Sequence, residues 1–404
     1  MPAAVGHRRI PGSRGIAGAT ATALTAVIVA LAPQPGSAAA PAVSGDCTLT
    51  ASDGFSEGPT GTEFIRPTGH RTAIMIMVDF PDLPSVTPAR DRASFFADYG
   101  DRYLELASYG SYRLDLEPTR GWVRMPKRWA SYGIERGISS EVMRAYVQDA
   151  VDAAVAEGTD FSGTDFVYVV ADDNVPAKPT VSQANTFDGL HAGGHPLRAA
   201  ALVFGRGADS AIWQRGNFVH EANHLYGLPD LYNVERGASV EYAGGWDTMS
   251  MAGISDLLGW HKWKFGWIPD SRVSCVTGGT SRRTLVPVGS PDGATLAVVK
   301  TSDHSAVVAE ARTRIGLDSS ICTEGVLLYT VDSSVPTGRG PVRVVDTAPH
   351  SGGGRACRDR SPDELAELGD APLQPGGSHT FADGVRVAVT GEHRGHYRVA
   401  VTAP

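Results

Sequence analysis

The most constraining feature of the chain is the segment at residues 220–230, which reads HEANHLYGLPD. On a helix, His220 and His224 are four positions apart and project from the same face, so both can bind one metal ion. Gly227 can adopt the left-handed conformation that ends a helix and turns the chain back, which makes Asp230 a candidate third ligand. Two imidazole nitrogens and one carboxylate leave the fourth position of a zinc ion open, as in catalytic rather than structural sites.

Glu221 directly follows the first of the two histidines and is expected to lie beside a water molecule bound to the metal. Zinc lowers the pKa of such a water to about 7 and polarises a carbonyl oxygen as a Lewis acid. A carboxylate there can accept a proton from the water and pass it to a departing amine nitrogen. The motif therefore predicts zinc-dependent hydrolysis, with Glu221 as general base and then general acid.

The same residues also allow other interpretations. His-Glu-x-x-His occurs by chance on surface helices, and an aspartate near glycine and proline, such as Asp230, often caps a turn. Asp247 is then the rival carboxylate ligand, although we interpret it as a residue that stabilises a turn. Met249 in that turn is expected to form an apolar floor beneath the histidines without binding the metal, with Met251 as the alternative.

A phenol in such a site often helps to stabilise the negatively charged oxygen that forms during hydrolysis. Three tyrosines lie near the motif in sequence, namely Tyr226, Tyr232 and Tyr242. Packing explains each of them equally well, and the sequence does not rank them.

The motif and the turn resemble those of the secreted metalloproteases of the immune inhibitor A family, which are metzincin-like. That family has an aspartate in place of the third histidine of typical metzincins, which Asp230 matches, and a tight methionine-containing turn, which residues 245–250 (GWDTMS) match. Three further stretches are similar: residues 77–82 (MVDFPD), 107–110 (ASYG) and 262–267 (KWKFGW). The resemblance spans residues 70–270.

The resemblance implies an α+β zincin-like catalytic domain, in which a mixed sheet supports an active-site helix and a Met-turn containing Met249. It also implies a zinc ion bound by His220, His224 and Asp230, with Glu221 as the catalytic residue. Members of the family often bind calcium for stability, so the resemblance extends to structural Ca²⁺, although the sequence marks no location for it.

Between residues 70 and 270, apolar runs typical of buried strands alternate with helical patterns, which predicts an α/β or α+β catalytic domain with the zinc in a cleft. The predicted strands are residues 73–80, one or two within 111–125, 165–171 and 199–204, and the predicted helices are residues 90–108, 139–158, 212–226 and 254–265. Residues 172–197 are expected to form a long loop. Two glycines between His191 and His195 argue against a second metal site there.

Residues 271–404 differ in pattern, because short apolar runs alternate with loops rich in Gly, Pro, Asp and Ser. This spacing predicts a smaller all-β, sandwich-like domain. Our default interpretation is that it braces the catalytic domain, and the alternative is that it binds substrate.

Residues 1–40 have the pattern of an export signal: a basic start, an apolar alanine-rich stretch and small residues before the expected cleavage site. The alternative is a retained membrane anchor. Residues 41–69 are interpreted as an N-terminal extension or a short pro-segment. Removal of the signal would change the formal net charge from −8 to about −11, because it removes three arginines and no acidic residue. Such an acidic protein repels nucleic acid and anionic membranes.

Four cysteines lie in the part that would be exported, which predicts two disulfides. Of the three possible pairings, we favour Cys47–Cys275, which ties the N-terminus across the first domain, and Cys322–Cys357 within the second. The rival role of Cys47 is that of a pro-segment thiol that blocks the zinc.

Together these features predict a secreted, extracellular zinc metalloendopeptidase that hydrolyses peptide bonds of extracellular proteins. The alternative is a secreted zinc hydrolase or binding protein that acts on glycosylated surface proteins through residues 271–404. We expect protein or peptide substrates, no nucleic-acid partner, no stable membrane insertion after signal cleavage, and a monomer.

Overall fold

The computed structural model describes residues 47–404 except residues 53, 165, 236, 254, 350 and 352–366. The predicted export signal and the predicted disulfide partner Cys357 therefore lie outside the described residues. Every described residue belongs to one unit, Ala40–Pro404. No helix among these residues is long and apolar enough to cross a bilayer.

The first half of the described chain is built around a six-stranded mixed sheet. Its strands are β1 Gly69–Asp79, β2 Tyr112–Pro118, β3 Val123–Arg124, β4 Phe166–Ala171, β5 Gln183–Ala192 and β6 His195–Val203. Their order is β2-β1-β4-β6-β5, with β3 paired to the end of β1. All neighbours are parallel except β5 and β6, which are antiparallel. The predicted α+β class is confirmed.

The described residues include four α-helices: α1 Ala89–Ala107, α2 Ser140–Ala156, α3 Ala211–Leu225 and α4 Gly259–Lys264. The amphipathic helix predicted after the two serines is α2, and its cap is Ser139, whose hydroxyl accepts a hydrogen bond from the Val142 N–H at 3.3 Å. Helix α1 agrees with the prediction for residues 90–108, and α3 with that for residues 212–226.

Helices cover both faces of the sheet, which explains the nearly continuous apolar run at residues 73–80. Ile74 and Ile76 belong to a cluster that includes the buried side of α2. Met75 and Met77 point the other way, into a cluster with α1 and α3. A strand that is covered on both faces must be apolar at successive positions, so the sequence pattern and the packing agree.

The long loop predicted at residues 172–197 is wrong from residue 183 onward. Gln183–Ala192 forms β5, which turns at Gly193 and Gly194 into β6. Both glycines have positive φ angles, 55° and 98°, as tight hairpin turns require. The prediction failed because β5 lies at the edge of the sheet and is largely polar, so it lacks the apolar pattern of a buried strand.

The helix predicted at residues 254–265 is shorter than expected, since α4 begins only at Gly259. Two carboxylates determine this start. Asp247 accepts a hydrogen bond from the Leu258 N–H at 2.6 Å, and Glu310 accepts one from the Gly259 N–H at 2.7 Å. Both donors would otherwise lack partners at the helix N-terminus.

The second half of the chain forms two further sheets. Their strands are β7 Val273–Cys275, β8 Gly279–Leu285, β9 Leu296–Lys300, β10 Ser305–Arg312, β11 Gly325–Asp332, β12 Val342–Val344, β13 Ser378–Thr380, β14 Arg386–His393 and β15 His396–Ala403. One sheet has the order β12-β11-β10-β9-β7 and the other β13-β14-β15-β8. Alternate residues of both, such as Val307 and Val399, share one apolar core, as in a sandwich.

The remaining face of the five-stranded sheet packs against the helical side of the first half. Val308 and Tyr329 belong to the same hydrophobic cluster as Phe96 of α1 and Phe218 of α3. The two halves therefore share a core. The predicted boundary at residue 270 separates two sequence patterns, but the hydrophobic cluster contains residues from both sides of it.

The N-terminal segment at residues 47–68 has no helix or strand, yet it is built into this core. Cys47 is bonded to Cys275 with a Cα–Cα distance of 5.7 Å, which confirms the favoured pairing and excludes the rival role of Cys47 as a blocking thiol. The Ile65 N–H donates to the Leu225 carbonyl at 2.9 Å, at the end of α3. The Cys322–Cys357 pairing stays a prediction.

Candidate metal centre

Helix α3 places the motif inside the protein. Phe218 and Val219 are fully buried, and the Phe218 ring stacks on Tyr168 of β4 with a centroid distance of 4.8 Å. The helix ends at Leu225, and Gly227 adopts a φ angle of 89° that turns the chain back, as predicted. The turn returns Asp230 to the face of the helix that bears the histidines.

The structure brings His220, His224 and Asp230 together. The Asp230 Oδ1 atom lies 3.0 Å from His220 Nε2 and 3.1 Å from His224 Nε2, and the two Nε2 atoms are 3.1 Å apart. Among the described residues, this is the one group of three or more His, Cys, Asp or Glu side chains that could hold a metal ion. His191 and His195 of the β5–β6 hairpin do not form a second such group.

The other nitrogen of each imidazole defines which tautomer is present. His220 Nδ1 lies 3.0 Å from the Thr248 carbonyl oxygen, and His224 Nδ1 lies 2.8 Å from the Leu228 carbonyl oxygen. A carbonyl can only accept, so each Nδ1 carries a proton, and in the neutral imidazole each Nε2 then directs its lone pair toward Asp230. Three acceptors thus converge, and they repel one another unless a cation lies between them. Backbone carbonyls orient metal-binding histidines in the same way.

The pKa shifts within the group also indicate that a positive charge is favoured at this position. Burial alone would raise the pKa of Asp230, but the two imidazoles outweigh it and hold that pKa well below its usual range. Burial alone would lower the pKa of His224, but the charge and hydrogen bond of Asp230 raise it. A pocket that stabilises a proton at this position also suits a divalent cation, so the residues present fit a metal ion.

Glu221 lines the same cleft and has an unused carboxylate oxygen. Burial raises the pKa of Glu221 to about 8; the nearby His220 opposes the shift and Asp230 adds to it. Its Oε2 atom is buried and has no hydrogen-bond partner among the described residues. A carboxylate with a pKa near neutrality and a free oxygen can both accept and release a proton.

The turn that contains Met249 supports the group from one side. Thr248 supplies the carbonyl that orients His220, and the Met249 carbonyl accepts a hydrogen bond from the Leu231 N–H at 3.0 Å, one residue beyond Asp230. Met249 is fully buried in the same cluster as α3, and Met251 is half-buried.

Asp247 is engaged elsewhere and does not belong to the group of three. Its Oδ1 accepts a hydrogen bond from the Met249 N–H at 2.7 Å, and its Oδ2 accepts from the Leu258 N–H at 2.6 Å. Oδ2 also lies 2.8 Å from His261 Nδ1. These bonds fix the turn and leave Asp247 no role at the histidine pair.

The structure ranks the three tyrosines. Tyr226 is fully buried and its hydroxyl bonds to Tyr112 at 2.8 Å, while Tyr242 lies against the guanidinium of Arg343 at 4.2 Å from the ring centre. Tyr232 lines the cleft, and its ring centre is 5.9 Å from that of His220. Tyr232 is therefore the one of the three that lines the cleft beside the histidines.

The cleft has a volume of about 560 Å³ and includes residues that sequence reasoning did not single out. Phe55 of the N-terminal segment packs edge-on against His224, with ring centres 5.3 Å apart. Arg136 and Thr337 also line the cleft, the latter from the second half of the chain. Their sequence distance from the motif left no local signal, because only folding brings them to it.

Comparisons with models of known protein families and with curated protein sequences give no match to this chain. The resemblance to the immune inhibitor A metalloproteases therefore depends on the motifs alone. Independently of any relative, His220, His224 and Asp230 form a group that could hold a metal ion.

Proposed function

We propose that this chain is a secreted zinc-dependent endopeptidase with a zincin-like catalytic domain. The observation that supports it most is the convergence of three lone-pair donors, from His220, His224 and Asp230, beside the unpaired carboxylate oxygen of Glu221. The Cys47–Cys275 disulfide supports export, because disulfides persist in oxidising compartments.

The type of ligand favours zinc over other common ions. Two imidazole nitrogens and one carboxylate oxygen are a ligand set of catalytic zinc sites. Calcium and magnesium prefer oxygen ligands throughout, and no group of that kind accompanies the histidines in the described residues.

The chemistry follows from the position of Glu221. When bound, zinc supplies a Lewis acid and lowers the pKa of water at its open position. Glu221 accepts a proton from the attacking water at its free carboxylate oxygen and returns it to the leaving amine nitrogen. Burial limits the access of bulk water to this exchange and raises the pKa of the Glu221 carboxylate above that of an exposed glutamate.

A peptide substrate is favoured by the strand beside the cleft. β5 is the last strand of its sheet on this side in the described structure, and Gln183, Ala184 and Asn185 line the cleft. The outer N–H and C=O groups of an edge strand can bind an extended peptide as an additional strand. Such a peptide would pass directly over Glu221.

Hydrolysis of casein and of an internally quenched peptide tests this proposal. We expect a chelator to abolish cleavage and added zinc to restore it. Glu221→Gln should lower kcat by about 10²–10⁴-fold, the usual share of general acid–base catalysis, while one zinc per chain is retained. Glu157→Gln, at an exposed position, is the matched control and should keep wild-type turnover. Cleavage that survives chelation, or normal turnover by Glu221→Gln, rejects the proposal.

A further inference from the structure

Asp230 lies outside any helix or strand, so its backbone needs other partners to hold it. Both of its backbone groups bond to the loop between β11 and β12, residues 333–341, here called the β11–β12 loop. The Asp230 N–H donates to Thr337 Oγ1 at 2.8 Å. The Asp230 carbonyl accepts a hydrogen bond from the Gly338 N–H at 2.9 Å. These two bonds hold the peptide groups on either side of the Asp230 Cα and so set the direction of its side chain.

The contact continues past the ligand. The Val234 N–H donates to the Gly338 carbonyl at 3.0 Å, so Gly338 bonds to the chain on both sides. Gly338 has a φ angle of 70°, and a Cβ atom there would lie 2.4 Å from Val234 Cγ1. The loop therefore approaches residues 230–234 as closely as a backbone without a side chain permits.

The position of the β11–β12 loop is determined away from α3. The Asp332 N–H donates to the Pro341 carbonyl at 2.8 Å, which closes the loop at its base. Ser333 is fully buried; its hydroxyl donates to the Thr50 carbonyl at 2.7 Å, and its own carbonyl accepts from the Ser52 hydroxyl at 2.6 Å. The sandwich and the N-terminal segment thus fix the loop that holds Asp230.

We propose that the β11–β12 loop is part of the metal centre, with Thr337 as a positioning residue that, together with Gly338, aims the Asp230 carboxylate at the ion. This inference rests on the proposed function, since it takes Asp230 to be a ligand. It gives residues 271–404 a role in metal affinity in addition to packing. Without the Thr337 hydroxyl, the Asp230 N–H loses its partner and the carboxylate loses its fixed direction.

Zinc affinity of the full chain, measured by competition with a chromophoric chelator, tests the proposal. Thr337→Val keeps the shape of the side chain but removes the hydroxyl. It should raise the Kd for zinc by roughly 10–100-fold, the usual effect of losing a residue that orients a ligand. The visible absorption of the Co²⁺-loaded protein should change as well. Thr337→Ser retains the hydroxyl and should restore both the Kd and the spectrum.

Thr347→Val is the matched control. It removes a hydrogen bond of similar length, from Thr347 Oγ1 to the Ala371 carbonyl at 2.8 Å, elsewhere in the same half of the chain. We expect it to bind zinc with the wild-type Kd. If Thr337→Val does not fold, Thr337→Ala removes the same hydroxyl without a branched side chain. A wild-type Kd for folded Thr337→Val or Thr337→Ala, which lack the hydroxyl, would overturn the inference.

Asp230→Ala in the same assay distinguishes failure of this inference from failure of the proposed function. If Asp230→Ala loses zinc while Thr337→Val and Thr337→Ala bind it normally, only the role of the loop is rejected. If Asp230→Ala itself binds zinc with the wild-type Kd, Asp230 is not a ligand, and the proposed centre fails together with the inference.

Discussion

The candidate metal centre and a second buried cluster are built from the same types of side chain and differ in how their hydrogen-bonding groups match. The second cluster consists of His261, Asp247 and Glu57, all fully buried. His261 Nδ1 lies 2.8 Å from Asp247 Oδ2, and its Nε2 lies 3.1 Å from Glu57 Oε1. Each ring nitrogen thus faces a carboxylate, and a protonated imidazole satisfies both.

The pKa of His261 reflects this match. Burial would lower it, but the charges of Asp247 and Glu57 outweigh burial and raise it from the ordinary value of 6.5 to about 10. The cluster is therefore complete at neutral pH with one proton on each nitrogen. In the candidate metal centre, by contrast, the Nδ1 protons of both histidines are used by backbone carbonyls, and three acceptors face each other.

The types of side chain alone therefore do not distinguish a candidate metal centre from a structural ion pair. Both clusters combine histidine with carboxylates inside the core. The distinguishing feature is a backbone carbonyl at each Nδ1, which leaves the Nε2 lone pairs without a proton donor. If the first cluster binds metal and the second only stabilises the fold, substitutions in the two clusters should have different effects.

The largest effect is expected from Asp230→Ala. This variant should fall from one zinc per chain toward none, because two imidazoles remain where three ligands are needed. Glu57→Gln removes a carboxylate of the second cluster and should keep one zinc per chain, since that carboxylate bonds to His261 and to none of the three ligating side chains. Elemental analysis after dialysis against buffered zinc measures both. Equal metal content in the two variants would mean that the two clusters do not differ in metal binding.

The next effect concerns the second cluster. His261→Gln should lower the free energy of unfolding by about 3–5 kcal/mol at pH 6, because it leaves two buried carboxylates without their cation. The folded-state pKa of His261 is raised, so its contribution is fully present below pH 6.5 and is lost as the pH rises toward 10. The difference between wild type and variant should therefore narrow over this range.

Urea denaturation at pH 6, 8 and 10 measures the His261 effect. His195→Gln is the matched control, because His195 is half-buried and its Nε2 bonds to the Thr164 carbonyl at 2.8 Å, outside both clusters. We expect His195→Gln to lower the free energy of unfolding only slightly at every pH. If the difference in the free energy of unfolding between wild type and His261→Gln does not narrow as the pH rises, the imidazole stabilises the core without its charge.

The candidate metal ligands could be predicted from the sequence because the helical period places them locally. His220 and His224 share one face of α3, and Asp230 follows shortly after the turn that ends the helix. The groups that orient them could not be predicted in this way. The Thr248 carbonyl is 28 residues from His220, and the Thr337 hydroxyl is 107 residues from Asp230. Only the tertiary fold brings such groups into contact.

For the fold as well, elements with a local sequence pattern were predicted, and those without one were not. Strand β1 and helix α2 were predicted because their apolar patterns follow from burial on two faces and on one face, respectively. Strand β5 was missed because an edge strand beside a cleft remains polar. The pairing of β15 with β8, in which Tyr397 lies opposite Leu285, depends on contacts more than a hundred residues apart and has no local signature.

The smallest effect is expected from the disulfide, and it concerns both clusters, since the segment that begins at Cys47 provides Phe55 to one and Glu57 to the other. Cys47→Ser combined with Cys275→Ser should lower the free energy of unfolding by about 2–4 kcal/mol, chiefly by freeing the unfolded chain. An effect on the unfolded state is independent of the His261 charge. The losses from the disulfide and from His261→Gln should therefore add to within about 0.5 kcal/mol in urea denaturation at pH 6. A combined loss more than about 1 kcal/mol below the sum would mean that the bond acts by holding Glu57 against His261.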